Sequence, residues 1–292
     1  MQSSMLRSEN DIQAIREFIT RLAPHSTLAD FDEQMLLPTV RATVRIFTDE
    51  HKIVGFAYVD DYDNLWFETD ADYLFLRELE WQIVAWGSAC VKKRSQETGI
   101  ANTLDCSCHT EDTRRIHLLE RHGFVPQSTR TRRYSHPLDL PIITYPLPDG
   151  FSIRCVQDGD EVQSLVSLHQ AAFGTDNMTV AQRLAMTHAP HYLPEMDLVV
   201  VAPNSELAAF CVCGFDDPDK KVGYTDPIGT HPHFQRMGLA MAVVSTGLQM
   251  LQNAGAVRVE LGTSSENVAM QKLAEKLGFV CISEKLWFAK AV

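Results

Sequence analysis

The chain has 292 residues, which favours two domains, each large enough to bury its own core. Hydrophobic residues make up 45% of the chain and charged residues 22%, as in ordinary globular proteins. The formal net charge of −12 argues against a nucleic-acid binder, because no basic surplus can displace counterions from phosphates, and it is compatible with a cationic amine substrate.

Residues 1–11 lack an apolar core of signal-peptide length, and no later run approaches the length of a membrane span. We therefore expect a cytoplasmic protein with no membrane partner. The seven cysteines are odd in number and scattered, which favours reduced, buried thiols. Cys106, Cys108 and His109 are zinc-ligand types, but structural zinc sites rarely use a Cys-x-Cys pair on a strand. No metal site is expected.

Two stretches of the first half recur in the second half. Lys52–Val59 parallels Glu206–Cys213, and Leu118–Val125 matches Leu273–Val280. Each copy is interpreted as strand, helices, three antiparallel strands, helix, strand, helix and strand. Between the copies, His136–Gly150 carries four prolines and almost no helical periodicity. The sequence therefore predicts an α/β fold used twice, in domains 1–140 and 141–292.

The second copy has the clearer element pattern. It predicts strands over Phe151–Val156, Met196–Ala202, Leu207–Phe215, Val222–Thr230 and Val257–Thr263, and helices over Asp160–Phe173, Leu239–Ala254 and Asn267–Leu277. Asp158 or Asp160 is expected to cap the first of these helices, and Gly278 to end the last. By strand alternation, Tyr224, Asp226 and Ile228 share one face.

A tight loop, Gln235–Ala240, separates the predicted strand Val222–Thr230 from a helix. Gly238 lets the backbone approach an anion closely. The unpaired N–H groups of the first helical turn, with the positive end of the helix dipole, favour negative charge there. A pyrophosphate would suit this loop.

The segment from Asp226 to Met241 resembles the acetyl-CoA-binding motif of the GCN5-related N-acetyltransferases (GNAT), Gln/Arg-x-x-Gly-x-Gly/Ala. A second segment, Glu266–Phe279, is similar to the helix and turn of that family, Asn-x-x-Ala-x-x-Leu-Tyr-Glu-Lys-x-Gly-Phe. The resemblance covers the second copy. It implies two tandem acyl-CoA N-acyltransferase folds, each a mixed, mostly antiparallel twisted sheet flanked by helices, with acetyl-CoA as co-substrate.

The resemblance also implies roles for individual residues. The loop would hold the CoA pyrophosphate through its backbone amides and two side chains, with contacts from Gln235, Arg236, Met237, Gly238, Leu239 and Ala240. A solvated cation at the helix start is the alternative for Arg236. Ile228, Gly229 and Thr230 would pair with the pantetheine amides like an added strand, Gly229 allowing close approach. Asn267 would hydrogen-bond to the pantetheine arm.

Acetyl transfer needs a base for the amine and an acid for the departing thiolate. Asp226 is the candidate base, acting directly or through water. The alternative is a carboxylate that only shapes the cleft. The usual tyrosine acid of the family falls on Ala274, and the first copy has Leu119 there. Tyr224, a water or buffer are the remaining acids, and Tyr224 is equally interpretable as a core aromatic.

Several histidines lie near these residues. His231 and His233 flank a proline in the turn before the loop, for which a structural role is expected. His188, His191 and Tyr192 are predicted to border the acceptor pocket. In the first copy, the segment Asp72–Trp81 stands at the place of the loop with no glycine and several carboxylates. That copy is therefore predicted to be degenerate, with weak cofactor binding as the alternative.

Three functions remain open. The first is an enzyme that transfers acetyl from acetyl-CoA to a primary amine of a small molecule, by direct attack in a ternary complex. The second is a protein N-terminal or lysine acetyltransferase. The third is a non-catalytic acetyl-CoA sensor or scaffold, which Ala274 motivates. A small-molecule amine and a second copy of the chain, forming a homodimer, are the partners considered.

Overall fold

The computed structural model describes residues 1–22, 28–157, 159, 161–176, 178–189, 192–217 and 221–292. The chain forms two compact units, one of residues 1–131 with 284–292 and one of residues 132–283. The sequence places the division after residue 140 and leaves the C-terminal residues in the second domain. The structure assigns residues 132–140 to the second unit and returns the last nine residues to the first.

The elements follow the chain in this order. The first half contains β1 (Gln2–Met5), α1 (Glu9–Leu22), α2 (Leu28–Gln34), α3 (Pro38–Arg41), β2 (Arg45–Asp49), β3 (Lys52–Val59), β4 (Leu65–Thr69), α4 (Leu76–Thr98), β5 (Thr103–His109), α5 (Thr113–Arg121) and β6 (Val125–Pro137). The second half contains β7 (Ser152–Cys155), α6 (Glu161–Phe173), α7 (Val180–Thr187), β8 (Asp197–Val201), β9 (Leu207–Asp217), β10 (Val222–Thr230), α8 (Leu239–Asn253), β11 (Arg258–Ser264), α9 (Val268–Lys276) and β12 (Val280–Ala291).

The first unit is built on an antiparallel sheet in the order β1, β2, β3, β4. A single parallel bridge, between Asn64 and Asp105, joins the β4 end to β5. On its other side β5 pairs antiparallel with residues 285–291 of β12. Helices α4 and α5 pack on this framework through one apolar cluster that includes Leu79, Ile83 and Phe288.

The second unit has an antiparallel run of β7, β8, β9 and β10, followed by β11. Strand β11 is parallel to β10, which requires the crossover that α8 supplies. Helix α8 covers one face of the sheet with residues such as Val243 and Leu248. Helix α6 covers the other face, where Leu165 and Leu168 pack on Phe210. The sheet is therefore buried on both faces.

The predicted fold class is confirmed: each unit is a mixed, mostly antiparallel sheet flanked by helices. The predicted strands and helices of the second copy agree with the structure to within a few residues. Gly278 ends α9 in the left-handed region, with φ of 89°. Helix α7 was not predicted individually, although Thr179 and Gln182 form a capping box at its start. Asp158 and Asp160, the predicted caps of α6, lie outside the described residues.

The prediction that Tyr224 and Ile228 share a face of β10 is wrong. The register with β9 shifts between Thr225 and Ile228, so that these two residues lie opposite Cys213 and Cys211. The cysteine Sγ atoms are 3.5 Å apart on one face, which places Thr225 and Ile228 together on that face. Tyr224 is therefore on the other face. The cause is a bulge at Pro227, which has no N–H to donate to a ladder.

Gly229 is required by packing within the unit. A Cβ at this position would lie 2.4 Å from Cε1 of Phe210 and 2.9 Å from Cβ of Ala172. Both neighbours belong to the core between the sheet and α6. The expected role of Gly229 in close cofactor approach thus has a competing explanation, because the protein itself occupies the space beside it.

We predict that Gly229→Ala destabilises the second unit by ~1–3 kcal/mol, since the added methyl overpacks a filled core. The free energy of unfolding in urea measures the effect. Gly262→Ala on the neighbouring strand is the control, because its Cβ would lie 3.7 Å from the nearest atom, an ordinary contact. Equal unfolding midpoints for the two variants would show that Phe210 moves aside without cost.

Candidate active site

The sheet of the second unit opens between its two parallel strands. The ladder between β10 and β11 has three residue pairs, and the last is Tyr224 with Glu260. Both strands continue beyond it, to Thr230 and Ser264. Within the described chain no ladder joins them there. An extended ligand could therefore add to the edge of β10 as a strand does.

Asp226 stands where the two strands part. It is exposed, and its Oδ2 lies 3.7 Å from the position that a Cβ would take on Gly262 of β11. Glu260, at the end of the ladder, is instead buried and forms ion pairs with Arg133 and, at 3.0 Å, Arg258. Of these two carboxylates, Asp226 is the one that faces the gap.

Tyr224 points toward the opposite neighbour of β10. A Cβ on Gly214 of β9 would lie 2.6 Å from the Tyr224 hydroxyl, so the ring lies across that glycine. The hydroxyl is thus on the β9 side, whereas the Asp226 carboxylate is beside β11. The structure does not bring the two predicted catalytic side chains together.

The loop before α8 presents a group of open backbone donors. The N–H groups of residues 236–241 donate to no acceptor in the described part of the chain, and the first bond of the helix runs from Ala242 N to Gly238 O at 3.1 Å. Helix α8 has 15 residues and no acidic residue in its first turn. The positive end of its dipole is therefore uncompensated, a geometry that favours negative charge beside the loop.

Two residues of this loop adopt left-handed dihedrals. Arg236 has φ of 65° and Gly238 has φ of 82°. Such conformations turn neighbouring N–H groups toward a common concavity, as in known anion-binding nests. A Cβ on Gly238 would meet no atom within 4 Å, so the approach to the backbone is open. Gln235, Arg236 and Met237 are exposed, Leu239 is buried and anchors the helix start, and Ala240 is half-buried.

The strand residues before the loop are held in different ways. Ile228 packs its side chain against the core that α8 covers, which leaves only its backbone for a ligand at the β10 edge. Thr230 pairs with Ala209. The next residue, His231, continues the ladder by donating its N–H to Ala208 O at 2.9 Å. Its Nδ1 accepts from His233 N at 3.2 Å, in accord with a structural role for the pair.

Asn267 caps α9 by accepting a hydrogen bond from Met270 N at 3.1 Å through Oδ1. The residue is exposed. Its side chain therefore has a structural duty at the helix start, which uses the oxygen and leaves the amide nitrogen as the group that could meet a ligand.

Gln271 is a residue that the sequence analysis missed. It is buried, and its Nε2 donates to the carbonyls of Ser264 at 3.0 Å and Ser265 at 2.9 Å. Its Oε1 accepts from Arg132 Nη1 at 2.7 Å. These bonds hold the turn between β11 and α9, and with it Asn267. The available signal was an amide at a buried position of an apolar helix face, which demands partners.

The face of the sheet beside Pro227 carries a small cavity. Its walls are mostly apolar, with His169 and Arg183 as polar members: Leu165, His169, Met178, Arg183, Met186, Phe210 and Pro227. Arg183 forms a buried ion pair with Asp197, which also accepts from the Tyr192 hydroxyl at 2.6 Å. Burial, and then the charge of Arg183, lower the pKa of His169. The predicted pocket residue Tyr192 is thus an anchor for Asp197.

The other residues that were predicted to border the acceptor pocket are His188 and His191. His188 ends α7, and its Nδ1 lies 2.6 Å from Leu184 O of the same helix. His191 lies outside the described residues.

In the first unit, burial raises the pKa of Cys106 to about 12 and that of Cys108 to about 11, so both stay protonated. No metal-binding group of three or more His, Cys, Asp or Glu occurs in the described ranges.

The sequence profile of the Acetyltransferase (GNAT) family matches residues 162–279. This range contains the strand gap, the open amides and the Asn267 cap. Residues 162–279 belong to the GNAT family. Within this GNAT domain, Ala274 is 0% exposed and packs in the core, so the position of the usual tyrosine offers neither a hydroxyl nor access to the gap.

Individual relatives add detail to the family match. A mycothiol acetyltransferase from Paenarthrobacter aurescens is 32% identical over 141 residues, which cover 46% of this chain and 44% of that protein. The chain spans about half the length of the curated relatives it matches.

No helix of the described ranges is long and apolar enough to cross a membrane.

Two solved structures show the same fold. A tandem GNAT protein from the clavulanic acid biosynthesis pathway covers 99% of this chain and 98% of its own, with a TM-score of 0.73 and 11% identity. A GCN5-related N-acetyltransferase from Sphaerobacter thermophilus covers 85% of this chain and 80% of its own, with a TM-score of 0.67 and 17% identity. At such identities the likeness concerns the fold, and the first of them extends the GNAT fold to both units.

We predict that Gln271→Leu lowers the free energy of unfolding by ~1–3 kcal/mol, because two partly buried carbonyls lose a donor and Arg132 loses an acceptor. Urea unfolding measures the change. Lys272→Leu, on the exposed side of the same helix, α9, introduces the same side chain. Its free energy of unfolding is expected to stay within ~0.5 kcal/mol of that of the parent. Indistinguishable midpoints for the two variants would contradict the role of Gln271.

Proposed function

We propose that this chain is an N-acetyltransferase that moves the acetyl group of acetyl-CoA to a primary amine of a small molecule, by direct attack in a ternary complex. The observation that carries the proposal is the group of open N–H donors at residues 236–241, placed beside the gap between β10 and β11. One ligand with an anionic end and an extended amide arm would use both features.

The pyrophosphate of acetyl-CoA is assigned to the loop. Its charge would complement the positive end of α8, and its oxygens would accept from the amides of Arg236, Met237, Gly238, Leu239 and Ala240. The exposed side chains of Gln235 and Arg236 are near enough in sequence to add contacts with phosphate. Because most of these contacts are to the backbone, binding depends on the dihedrals of the loop.

The pantetheine arm is assigned to the strand gap. It would pair with the backbone of Ile228 and Thr230 on the edge that β11 leaves, while Gly229 between them pairs with Phe210 of β9. Asn267 would donate through its amide nitrogen. The thioester carbonyl would then lie near a strand N–H that stabilises the developing oxyanion. Gln271 would position Asn267 for this contact.

Asp226 is assigned as the base. The amine attacks the thioester carbonyl, its proton passes to the Asp226 carboxylate directly or through one water, and the tetrahedral intermediate expels CoA thiolate. Tyr224 was the candidate acid, but its hydroxyl lies over Gly214 on the β9 side. We therefore assign proton return to water or to protonated Asp226, since a thiolate is a tolerable leaving group.

The acceptor is assigned as a small amine on two grounds. The curated relatives matched by about half of their length are named mycothiol acetyltransferases. The net charge of −12 also suits a cationic acceptor. The cavity beside Pro227 lies next to Asp226 in the chain, which favours the α6 and α7 face as the side on which the acceptor enters.

A second function has one specific observation in its favour. Ala274 is fully buried and replaces the tyrosine of the family, which is compatible with a domain that binds acetyl-CoA without turning it over. Release of free CoA across a broad panel of amines separates the two functions. Tight acetyl-CoA binding with no turnover of any acceptor would favour the non-catalytic binder.

Gly238→Glu tests the cofactor site. A carboxylate at the open helix start should repel the pyrophosphate and weaken acetyl-CoA binding at least ~100-fold, since facing like charges cost several kcal/mol. Gly255→Glu is the control, because Gly255 is also left-handed, with φ of 91°, and also open, but lies at the far end of α8. Calorimetry that finds equal affinity in both variants would rule out the loop.

Asp226→Asn tests the base. We expect kcat near neutral pH to fall ~100-fold or more, the usual contribution of a general base. The deficit should shrink at high pH, where the acceptor amine loses its proton without help. CoA release followed from pH 6 to 10 is the measurement, with exposed Asp149→Asn as the control. A parallel pH profile in parent and variant would count against Asp226.

A further inference from the structure

The two units correspond residue by residue along the strand that borders the gap. In the first unit Asp70 N donates to Val54 O at 2.9 Å, and in the second His231 N donates to Ala208 O at 2.9 Å. Counting back along each ladder, Phe67 pairs with Ala57 as Ile228 pairs with Cys211. Phe67 of β4 is therefore the counterpart of Ile228 of β10.

The helices that follow the gap correspond as well. Asp112 caps α5 by accepting from Arg115 N at 2.9 Å, and Asn267 caps α9 by accepting from Met270 N at 3.1 Å. The caps are separated by the same 155 residues as the repeated sequence, so Arg115 is the counterpart of Met270. The position that Met270 occupies in the second unit is thus occupied by a cationic arginine, Arg115, in the first.

Arg115 uses its guanidinium on β4. Nη1 donates to the Phe67 carbonyl at 3.1 Å, and Nη2 donates to Glu68 Oε2 at 2.8 Å. The Cζ atom lies 4.4 Å from the centroid of the Phe67 ring, a cation–π distance. Among the described residues, no ladder joins β4 to β5 beyond the bridge between Asn64, just before β4, and Asp105, so this guanidinium occupies the gap that follows the bridge.

Two of the amides before α4 are satisfied inside the connection itself. Asp72 N donates to the Asp70 carboxylate and Tyr73 N to Asp70 O, both at 3.1 Å. Leu76 N then donates to Tyr73 O at 3.2 Å. The connection to the helix is residues 70–75, shorter than residues 231–238 in the second unit. It satisfies the amides of Asp72 and Tyr73.

We infer that the first unit closes its own cofactor cleft: the Arg115 guanidinium holds the Phe67 carbonyl where, in the second unit, a pantetheine amide would meet Ile228. The inference rests on the proposed function for its comparison, because the place of pantetheine in the second unit is itself proposed. Its consequences are one acetyl-CoA per chain and a first unit whose stability depends on Arg115 rather than on a ligand.

Calorimetry on the full chain tests the stoichiometry. The parent protein should bind one acetyl-CoA, and Gly238→Glu should bind none. Two sites in the parent, or one remaining site in Gly238→Glu, would overturn the inference while leaving the proposed function in place. No binding by the parent would instead contradict the proposed function, and the stability measurement then decides the role of Arg115.

That measurement compares Arg115→Met, which installs the residue of the second unit, with Arg77→Met at an exposed position of α4. Loss of the bonds to Phe67 and Glu68 should lower the Tm of Arg115→Met by ~4 °C or more. Acetyl-CoA should raise the Tm of Arg115→Met by no more than it raises the Tm of Arg77→Met. A Tm equal to that of Arg77→Met would overturn the inference. If Arg115→Met fails to fold, the stoichiometry of Gly238→Glu decides alone.

Discussion

A backbone N–H or C=O inside a protein needs a partner, and the candidate site is a place where the fold leaves such groups without one. The ladder of β10 with β11 ends at Tyr224 and Glu260, and the first turn of α8 begins with donors that no described acceptor meets. Pro227 contributes to the first feature because it cannot extend a ladder. The loop dihedrals at Arg236 and Gly238 produce the second.

The same constraint explains why two units of one fold differ. In the first unit Arg115 donates to the Phe67 carbonyl, and Asp70 accepts from the amides of Asp72 and Tyr73 before α4. In the second unit Met270 cannot donate, and the longer loop turns its amides outward. A substitution at one corresponding position and a change in loop length thus separate a closed cleft from an open one without changing the sheet.

Side-chain chemistry in the second unit is arranged around this open backbone. Asp226 reaches the gap because the bulge at Pro227 turns it toward β11, whereas Tyr224 is held over Gly214. Gln271 holds the turn that carries Asn267. The buried Arg183–Asp197 pair fixes α7 against β8 on the other face. These buried polar interactions therefore hold the elements around the gap in position.

The sequence by itself determined the fold class, the repeat and the position of the loop before α8, because these follow from local signals: apolar periodicity, the glycine at 238 and the spacing to Asn267. Tertiary structure alone decided which faces of β10 carry Tyr224 and Ile228 and why the core requires a glycine at position 229. It also decided the role of Gln271 in holding the turn before α9 and the closure of the cleft in the first unit by Arg115. Each depends on residues far apart in the chain or on a register shift, and neither composition nor periodicity specifies which strand lies beside which. The division of the chain near residue 131 and the return of residues 284–292 to the first unit are of the same kind.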